Sequence, residues 1–251
     1  MNSKERFSNR VDDYVKYRPT YPSEALDYLY GEVGLRPGCT IADVGSGTGI
    51  FSKLLLERGS RVIAVEPNEA MRAASEQTLG GHPNFLAIPG SAESTGLPDR
   101  SVAFVVCAQS FHWFDRAAAQ TEFRRILEPG GKVVLIWNSR LASGTPFREG
   151  YERLLQTYGT DYKSINHRNI SRTMLLSFFK EGTMHEERFT LTQKFDFEGL
   201  KGRLLSSSYS PLPGHPNYDS MMKELRELFD RHNRDGIVPF DYETEIYWGE
   251  V

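Results

Sequence analysis

Short apolar runs alternate with longer amphipathic stretches through the first 140 residues of the chain. The runs are rich in Val and Ile, and they cover residues 40–44, 61–65, 84–88, 102–107 and 132–137. Runs of this length suit strands that are buried on both faces, and their alternation with helix-length segments predicts a parallel sheet. The pattern therefore predicts an α/β fold.

The segments between the runs have the features of helices. Residues 49–58 present Phe51, Leu54 and Leu55 at helical spacing, and Asn68 is a suitable N-cap for a second helix. A third helix is predicted over residues 116–127, before Pro129. Further along the chain, the pattern predicts strands over residues 187–195 and 242–249 and helices over residues 196–208 and 217–233.

The sequence changes character after Asn138. From there to about Glu187 it is polar and rich in Arg, Tyr and Lys, which predicts an insertion over residues 140–186 within a single domain of residues 1–251. The basic residues of this insertion would suit an anionic substrate such as a small carboxylic acid, or they would form a solvated helix face. Both interpretations stay open.

Composition narrows the classes of function. The chain has 251 residues and a formal net charge of -3, so it lacks the basic field that holds a nucleic-acid backbone, and we expect no nucleic-acid partner. No apolar run approaches the ~18 residues of a membrane span and the N-terminus has no apolar signal region, so we expect no membrane association and a cytoplasmic location. The six histidines and two cysteines show no metal-ligand spacing, and we predict no metal site.

A glycine-rich turn between two of the predicted strands carries the clearest chemical signal. IADVGSGTGIF spans residues 41–51, and VIAVEPN follows at residues 62–68. The glycines are spaced G-x-G-x-G, unlike the dinucleotide fingerprint G-x-G-x-x-G, and Asp43 stands just before them. A carboxylate there opposes a pyrophosphate but tolerates a cationic ammonium or sulfonium group. Glu66 ends the second strand, where open α/β sheets bind a nucleoside ribose, so the turn predicts a cofactor site.

These residues resemble the first motif of the class I S-adenosylmethionine-dependent methyltransferases, hhDhGxGxG, with an acid at the end of the second strand. GSAESTGLPDRSVAFVVCAQSFHWFD at residues 90–115 and LEPGGKVVLIWN at residues 127–138 resemble the family's next motifs, in the same order. FSNRVDDYVKYRPTYP at residues 7–22 is similar to a segment of small-molecule methyltransferases of the type that includes ubiquinone-pathway and trans-aconitate methyltransferases.

The resemblance implies a Rossmann-like sheet of seven mostly parallel strands, with helices on both faces and an antiparallel last strand. It also implies an N-terminal lid over residues 1–30, and a helical insertion after the fifth strand that would act as a substrate cap over residues 140–186.

The same resemblance implies S-adenosylmethionine as the methyl donor, with S-adenosylhomocysteine as the product. Asp43 would lie near the methionine part and Glu66 on the ribose hydroxyls. Ala92 and Glu93 would lie near the adenine, while Tyr14 and Arg18 would approach the methionine carboxylate. The implied cofactor-binding residues are Tyr14, Arg18, Asp43, Gly45, Ser46, Gly47, Gly49, Glu66, Pro67, Ala92, Glu93 and Gln109.

The loop after the fourth predicted strand should face the substrate, because ligands of open α/β sheets bind at the carboxyl ends of the strands. Within it, His112 could accept a proton from a hydroxyl nucleophile, or it could pack beside Trp113 and hydrogen-bond the backbone. The candidate substrate-binding residues are His112, Trp113, Asn138 and Arg140.

The leading hypothesis is in-line transfer of a methyl group from S-adenosylmethionine to a small-molecule acceptor. The resemblance favours a carboxyl or hydroxyl oxygen as the acceptor atom, although carbon methylation of a quinone-like molecule uses the same core. A non-catalytic module that binds S-adenosylmethionine is a further alternative. A nicotinamide-dependent oxidoreductase is less favoured, because Asp43 and the glycine spacing count against it.

Overall fold

The computed structural model describes residues 16–162 and 170–251. Its centre is one sheet of seven strands in the order β3-β2-β1-β4-β5-β7-β6. Strands β1 to β5 run parallel, whereas β7 is antiparallel to both of its neighbours. The strands are β1 Thr40–Val44, β2 Arg61–Val65, β3 Phe85–Ile88, β4 Val102–Ala108, β5 Leu127–Arg140, β6 His185–Phe195 and β7 Val238–Gly249. The predicted fold class is therefore confirmed.

Helices connect the strands, and those of the first half begin and end within a few residues of their predicted bounds. Asn68 caps one of them as predicted, because its side chain accepts a hydrogen bond from the Met71 N–H at 3.0 Å. The helices are α1 Ser23–Tyr28, which continues as a π-helical turn over Leu29–Val33, α2 Ile50–Glu57, α3 Glu69–Leu79, α4 Arg116–Ile126, α5 Pro146–Tyr158, α6 Arg172–Phe178, α7 Phe197–Leu205 and α8 Tyr218–His232.

Two hydrophobic cores cover the two faces of the sheet. On one face, Phe123 of α4 and Phe178 of α6 pack against Trp137 of β5. On the other face, Leu29 from the end of α1 and Leu55 of α2 pack against the central strands. Helices therefore lie on both faces, as predicted, and the carboxyl ends of β1, β2, β4 and β5 share one edge of the sheet.

A third core stands apart from the sheet faces and joins helices from two parts of the chain. Helix α5 contributes Tyr151 and Leu154, and α7 and α8 contribute Leu204 and Leu225. The far end of β7 contributes Phe240. This helical layer, made of α5, α7 and α8, thus combines part of the predicted insertion with residues beyond it, while α6 of that insertion packs on the sheet. Its proposed role as a substrate cap stays a prediction.

The long antiparallel strand β7 begins earlier than predicted. Pairing with β6 continues to its first residues, where Phe195 faces Val238 and Lys194 faces Pro239. Proline is confined to positions without a ladder bond on one side, and Pro239 meets this condition because β7 pairs with β5 only from Tyr242 onward. Within the two described ranges, no helix is long and apolar enough to cross a lipid bilayer.

Candidate functional site

The glycine turn after β1 adopts a backbone that residues with side chains rarely adopt. Gly45, Gly47 and Gly49 have φ angles of +70°, +58° and +81°. A Cβ atom on Gly45 would lie 2.5 Å from the Cβ atom of Ser110, so the turn also needs glycine for a close approach to the loop after β4. Gly45 and Gly47 line an open cleft at this edge of the sheet, whereas Gly49 begins α2 behind it.

Glu66 connects the glycine turn to the end of β2. One of its carboxylate oxygens accepts a hydrogen bond from the Gly47 N–H at 2.8 Å, and the other accepts one from the Asn68 N–H at 2.8 Å. Burial raises the pKa of Glu66, and these two hydrogen bonds oppose that rise. The carboxylate thus fixes the turn while also lining the cleft.

Asp43 lies fully buried beneath the glycine turn, behind the residues that line the cleft. Its Oδ2 atom accepts a hydrogen bond from Ser52 Oγ at 2.6 Å, and burial raises its pKa to about 7. Among the described residues, its Oδ1 atom has no hydrogen-bond partner, and neither do the buried hydroxyls of Ser46 and Thr48. Because buried polar atoms are nearly always paired, these three atoms indicate a polar ligand at the turn.

The turn after β3 forms another wall of the cleft. Ala92 and Glu93 line it, together with Pro67 at the end of β2. Glu93 also accepts a hydrogen bond from the Asp115 N–H at 3.0 Å, which ties this turn to the start of α4. The residues that the resemblance assigns to the ribose and the adenine therefore lie in one cleft.

The loop after β4 brings aromatic side chains to the cleft. It begins at Gln109, a non-glycine residue with a φ angle of +61°, and Gln109, Trp113 and Phe114 all line the cleft. His112 packs beside Trp113, with 4.8 Å between the ring centroids. The described residues that line the cleft do not include His112. Its position beside Trp113 favours a packing role over proton transfer.

An N-terminal strap, defined here as residues 16–22, contributes Arg18, Pro19 and Tyr21 to the wall of the cleft. Arg18 donates a hydrogen bond to the Ser206 carbonyl oxygen at 3.0 Å, and Asn138 donates one to the Thr20 carbonyl oxygen at 2.9 Å. Tyr21 packs edge-on against Phe51, with 4.8 Å between the centroids. The strap therefore spans from the region after α7 to β5 and α2. Tyr14, which the resemblance assigns to the cofactor, lies outside the described residues.

The two candidates on β5 have different surroundings. Asn138 lines the cleft, and its side-chain oxygen accepts a hydrogen bond from Thr244 Oγ1 at 2.6 Å. Arg140 is instead held inside the helical layer by an ion pair with Glu152 and a hydrogen bond to Tyr162. The described residues that line the cleft do not include Arg140, and its role in substrate binding stays a prediction.

Sequence reasoning missed Arg203 of α7, which is 6% exposed and lines the cleft. A signal was present, since Arg203 lies directly before Leu204 and three residues after Leu200, on the apolar face of its helix. The cleft encloses about 1190 Å³ of empty space, its opening to solvent included.

Comparison with known proteins decides the family. Residues 42–135 match the methyltransferase domain family. The chain is 33% identical over 249 residues to an uncharacterized methyltransferase of Schizosaccharomyces pombe, a match that covers 97% of this chain and 96% of that protein. The chain belongs to the class I S-adenosylmethionine-dependent methyltransferases.

Further relatives agree with this assignment. An uncharacterized methyltransferase of Mycobacterium tuberculosis is 41% identical over 134 residues, which are 53% of this methyltransferase and 52% of that protein, so the match spans about half of each chain. The solved structure of a proposed type II methyltransferase from Anaeromyxobacter dehalogenans has the same fold, with a TM-score of 0.71 and 23% identity over 93% of this chain and 98% of that one. The YcgJ protein of Bacillus subtilis also shares the fold, with a TM-score of 0.58 and 17% identity over 91% of this chain and 98% of that one.

Proposed function

We propose that the protein binds S-adenosylmethionine in the cleft and transfers its methyl group to an oxygen atom of a small-molecule acceptor. The observation that carries the proposal is the set of unpartnered buried polar atoms on Asp43, Ser46 and Thr48, around a glycine turn that Glu66 also contacts. Such atoms suit the ammonium and carboxylate groups of the donor's methionine part. Glu66 would accept hydrogen bonds from the ribose hydroxyls, and Ala92 and Glu93 would contact the adenine, since all three line the same cleft.

The contribution of the chain to this reaction is alignment and exclusion of water. When bound, S-adenosylmethionine would supply a methyl group on a positively charged sulfur, so that an acceptor oxygen could bond the methyl carbon in line as the carbon–sulfur bond breaks and S-adenosylhomocysteine leaves. The strap and the aromatic side chains of Trp113 and Phe114 line the cleft, and both would limit the entry of water. Aromatic faces also attract a sulfonium charge. Positioning alone accounts for large rate enhancements in reactions of this type.

The first test is calorimetric titration of the full chain with S-adenosylhomocysteine, S-adenosylmethionine and NAD in parallel. Selective binding of the two adenosyl sulfur compounds supports the proposal, whereas selective binding of NAD overturns it in favour of an oxidoreductase. Absence of binding by all three removes the proposed donor site. Release of S-adenosylhomocysteine with a panel of acceptors then separates an enzyme from a non-catalytic module, and mass analysis of the product separates methylated oxygen from methylated carbon.

A pair of variants tests the donor site itself. Glu66→Gln should weaken the binding of S-adenosylhomocysteine by ~1–3 kcal/mol, because a charged hydrogen-bond partner of the ribose is lost. Glu69→Gln, an exposed change in the first turn of α3, is the matched control and should bind as the unmodified protein does. Equal affinities of the two variants would remove Glu66 from the proposed site.

A further inference from the structure

Arg203 is a buried guanidinium at the cleft whose partners are all neutral. Its Nε atom donates to the Tyr242 hydroxyl at 2.8 Å, and its Nη1 atom donates to Ser207 Oγ at 3.0 Å. The guanidinium carbon also lies 5.6 Å from the centroid of the Phe240 ring. Within residues 16–162 and 170–251, Arg203 forms no ion pair with a carboxylate.

Other arginines of the same region are neutralised. Arg140 pairs with Glu152, and Arg148 pairs with Asp241 at 2.7 Å. Both of these side chains are more exposed to solvent than Arg203 is. A buried charge without a counter-ion is costly, so the most buried of the three would be expected to have the best-placed carboxylate. It has none among the described residues, and it faces a ligand cleft instead.

The position of Arg203 in the fold separates it from the glycine turn. Its anchor Tyr242 is on β7, and Asn138, which also lines the cleft, is on β5. The glycine turn follows β1, and the sheet order places β5 two strands and β7 three strands away from β1. At ~4.8 Å between neighbouring strands, β5 is roughly 10 Å and β7 roughly 14 Å from β1. Arg203 is therefore tied to the β7 side of the cleft, away from the glycine turn.

The charges of the proposed methyl donor also bear on what binds at Arg203. S-adenosylmethionine carries an ammonium, a sulfonium and one carboxylate, so its binding adds a net positive charge to the cleft. Arg18, which also lines the cleft, is the arginine that the resemblance assigns to the donor's carboxylate. No residue within 16–162 and 170–251 supplies an anion that neutralises Arg203, and a bound molecule with an oxyanion would do so.

We propose that Arg203 binds an oxyanion of the acceptor, a carboxylate or a phosphate, and that the acceptor is thus an anionic small molecule. This proposal rests on the proposed function and specifies its substrate class. The Tyr242 hydroxyl and Ser207 hold the guanidinium in place, and Tyr242 in turn donates to Gln193 Oε1 at 2.9 Å. A guanidinium fixed in this way presents its remaining N–H groups as a fork that matches two oxygens of the anion.

The test uses the full chain saturated with S-adenosylhomocysteine and three probes at equal ionic strength: sodium benzoate, phenyl phosphate and neutral benzamide. Benzoate or phenyl phosphate should bind in calorimetry and raise the midpoint of thermal unfolding, and the stronger of the two identifies the anion. Benzamide should do neither. Arg203→Met should weaken the anion at least ~10-fold while leaving the affinity for S-adenosylhomocysteine unchanged. Arg153→Met, an exposed change on α5, is the control and should retain anion binding.

The outcomes separate this proposal from the proposed function. Failure of the unmodified protein to bind S-adenosylhomocysteine refutes the proposed function. If the unmodified protein binds S-adenosylhomocysteine, three results refute the acceptor proposal alone. Neither anion binds, Arg203→Met binds the anion as tightly as before, or Arg203→Met loses S-adenosylhomocysteine instead. Should Arg203→Met fail to fold, Arg203→Lys replaces it. The retained charge without the planar fork should weaken the anion several-fold, and unchanged affinity overturns the proposal.

Discussion

The buried carboxyl of Asp43 should make the stability of the unliganded protein fall as the pH rises. Burial raises the pKa of Asp43 from 3.8 to about 7, with a smaller rise from the nearby charge of Glu66, while the hydrogen bond from Ser52 opposes both. Because the folded pKa lies above the unfolded one, the folded state binds the proton more tightly. The resulting stabilisation is complete below pH 3.8 and is lost progressively as the pH rises to about 7.

The expected magnitude follows from the two pKa values of Asp43. Each pH decade between them is worth ~1.36 kcal/mol, so the interval from 3.8 to about 7 corresponds to a loss on the order of 4 kcal/mol. Asp43→Asn replaces the neutral acid by an amide of nearly the same shape, whose oxygen can still accept from Ser52. This variant should lack the pH dependence that belongs to Asp43.

Urea unfolding at pH steps from ~4 to 8 measures the effect. The free energy of unfolding of the unmodified protein should fall by several kcal/mol relative to Asp43→Asn over this range. Asp235→Asn controls for the chemical change, because Asp235 is exposed and its φ angle of +53° suits asparagine. A constant difference between the protein and Asp43→Asn across the range would refute the assignment of the raised pKa to Asp43.

Three further results are expected. Glu122→Gln should cost about 1–3 kcal/mol of unfolding free energy in urea at pH 7, because it removes a charged acceptor of Thr95 and Arg125 bonds. The pKa of Glu122 is lowered to about 2, so this difference should shrink as the pH falls from 4.5 towards 2, and a difference that grows would contradict it. Gly202→Ala should not raise the free energy of unfolding by the ~1 kcal/mol usual in a helix, because the new Cβ atom would lie 2.1 Å from the Tyr17 ring. In a Tyr17→Ala background, the same change should stabilise the protein in thermal unfolding. His112→Ala should leave the affinity for S-adenosylhomocysteine unchanged, and a loss of turnover without loss of stability would restore its role as a base.

The sheet and the glycine turn were predictable because their signals are local. A buried parallel strand needs a continuous apolar run, and the positive φ angles of Gly45, Gly47 and Gly49 need glycine, so both requirements are written in adjacent residues. Apart from Arg18 on the strap, the described residues that the resemblance assigns to the donor lie at or directly behind this turn and its neighbouring loops. Their individual roles stay predictions until a ligand is titrated.

The acceptor side was harder to predict because its contacts join distant parts of the chain. Arg140 looked suited to a substrate because it ends β5, yet a carboxylate twelve residues further on, Glu152, takes its charge. Arg203 lies on an amphipathic helix, and its hydrogen bond to Tyr242, 39 residues away, and its place in the cleft wall appear only in the folded structure. Periodicity predicts which face of a helix is buried, but it does not predict which partner covers that face.

Two buried ionisable groups, one behind the cleft and one in its wall, have no ionic partner among the described residues. Burial beneath the glycine turn raises the pKa of the Asp43 carboxyl. The Arg203 guanidinium lies among neutral groups near β7. Each would be relieved by a ligand of the opposite charge, a cationic donor at the first position and an anionic acceptor at the second. If so, saturation with S-adenosylhomocysteine, which brings an ammonium but no acceptor anion, should reduce the pH dependence that belongs to Asp43 and leave anion binding at Arg203 intact. The two ligands would then be recognised through separate electrostatic needs, and stability against pH measured with and without each ligand would separate them.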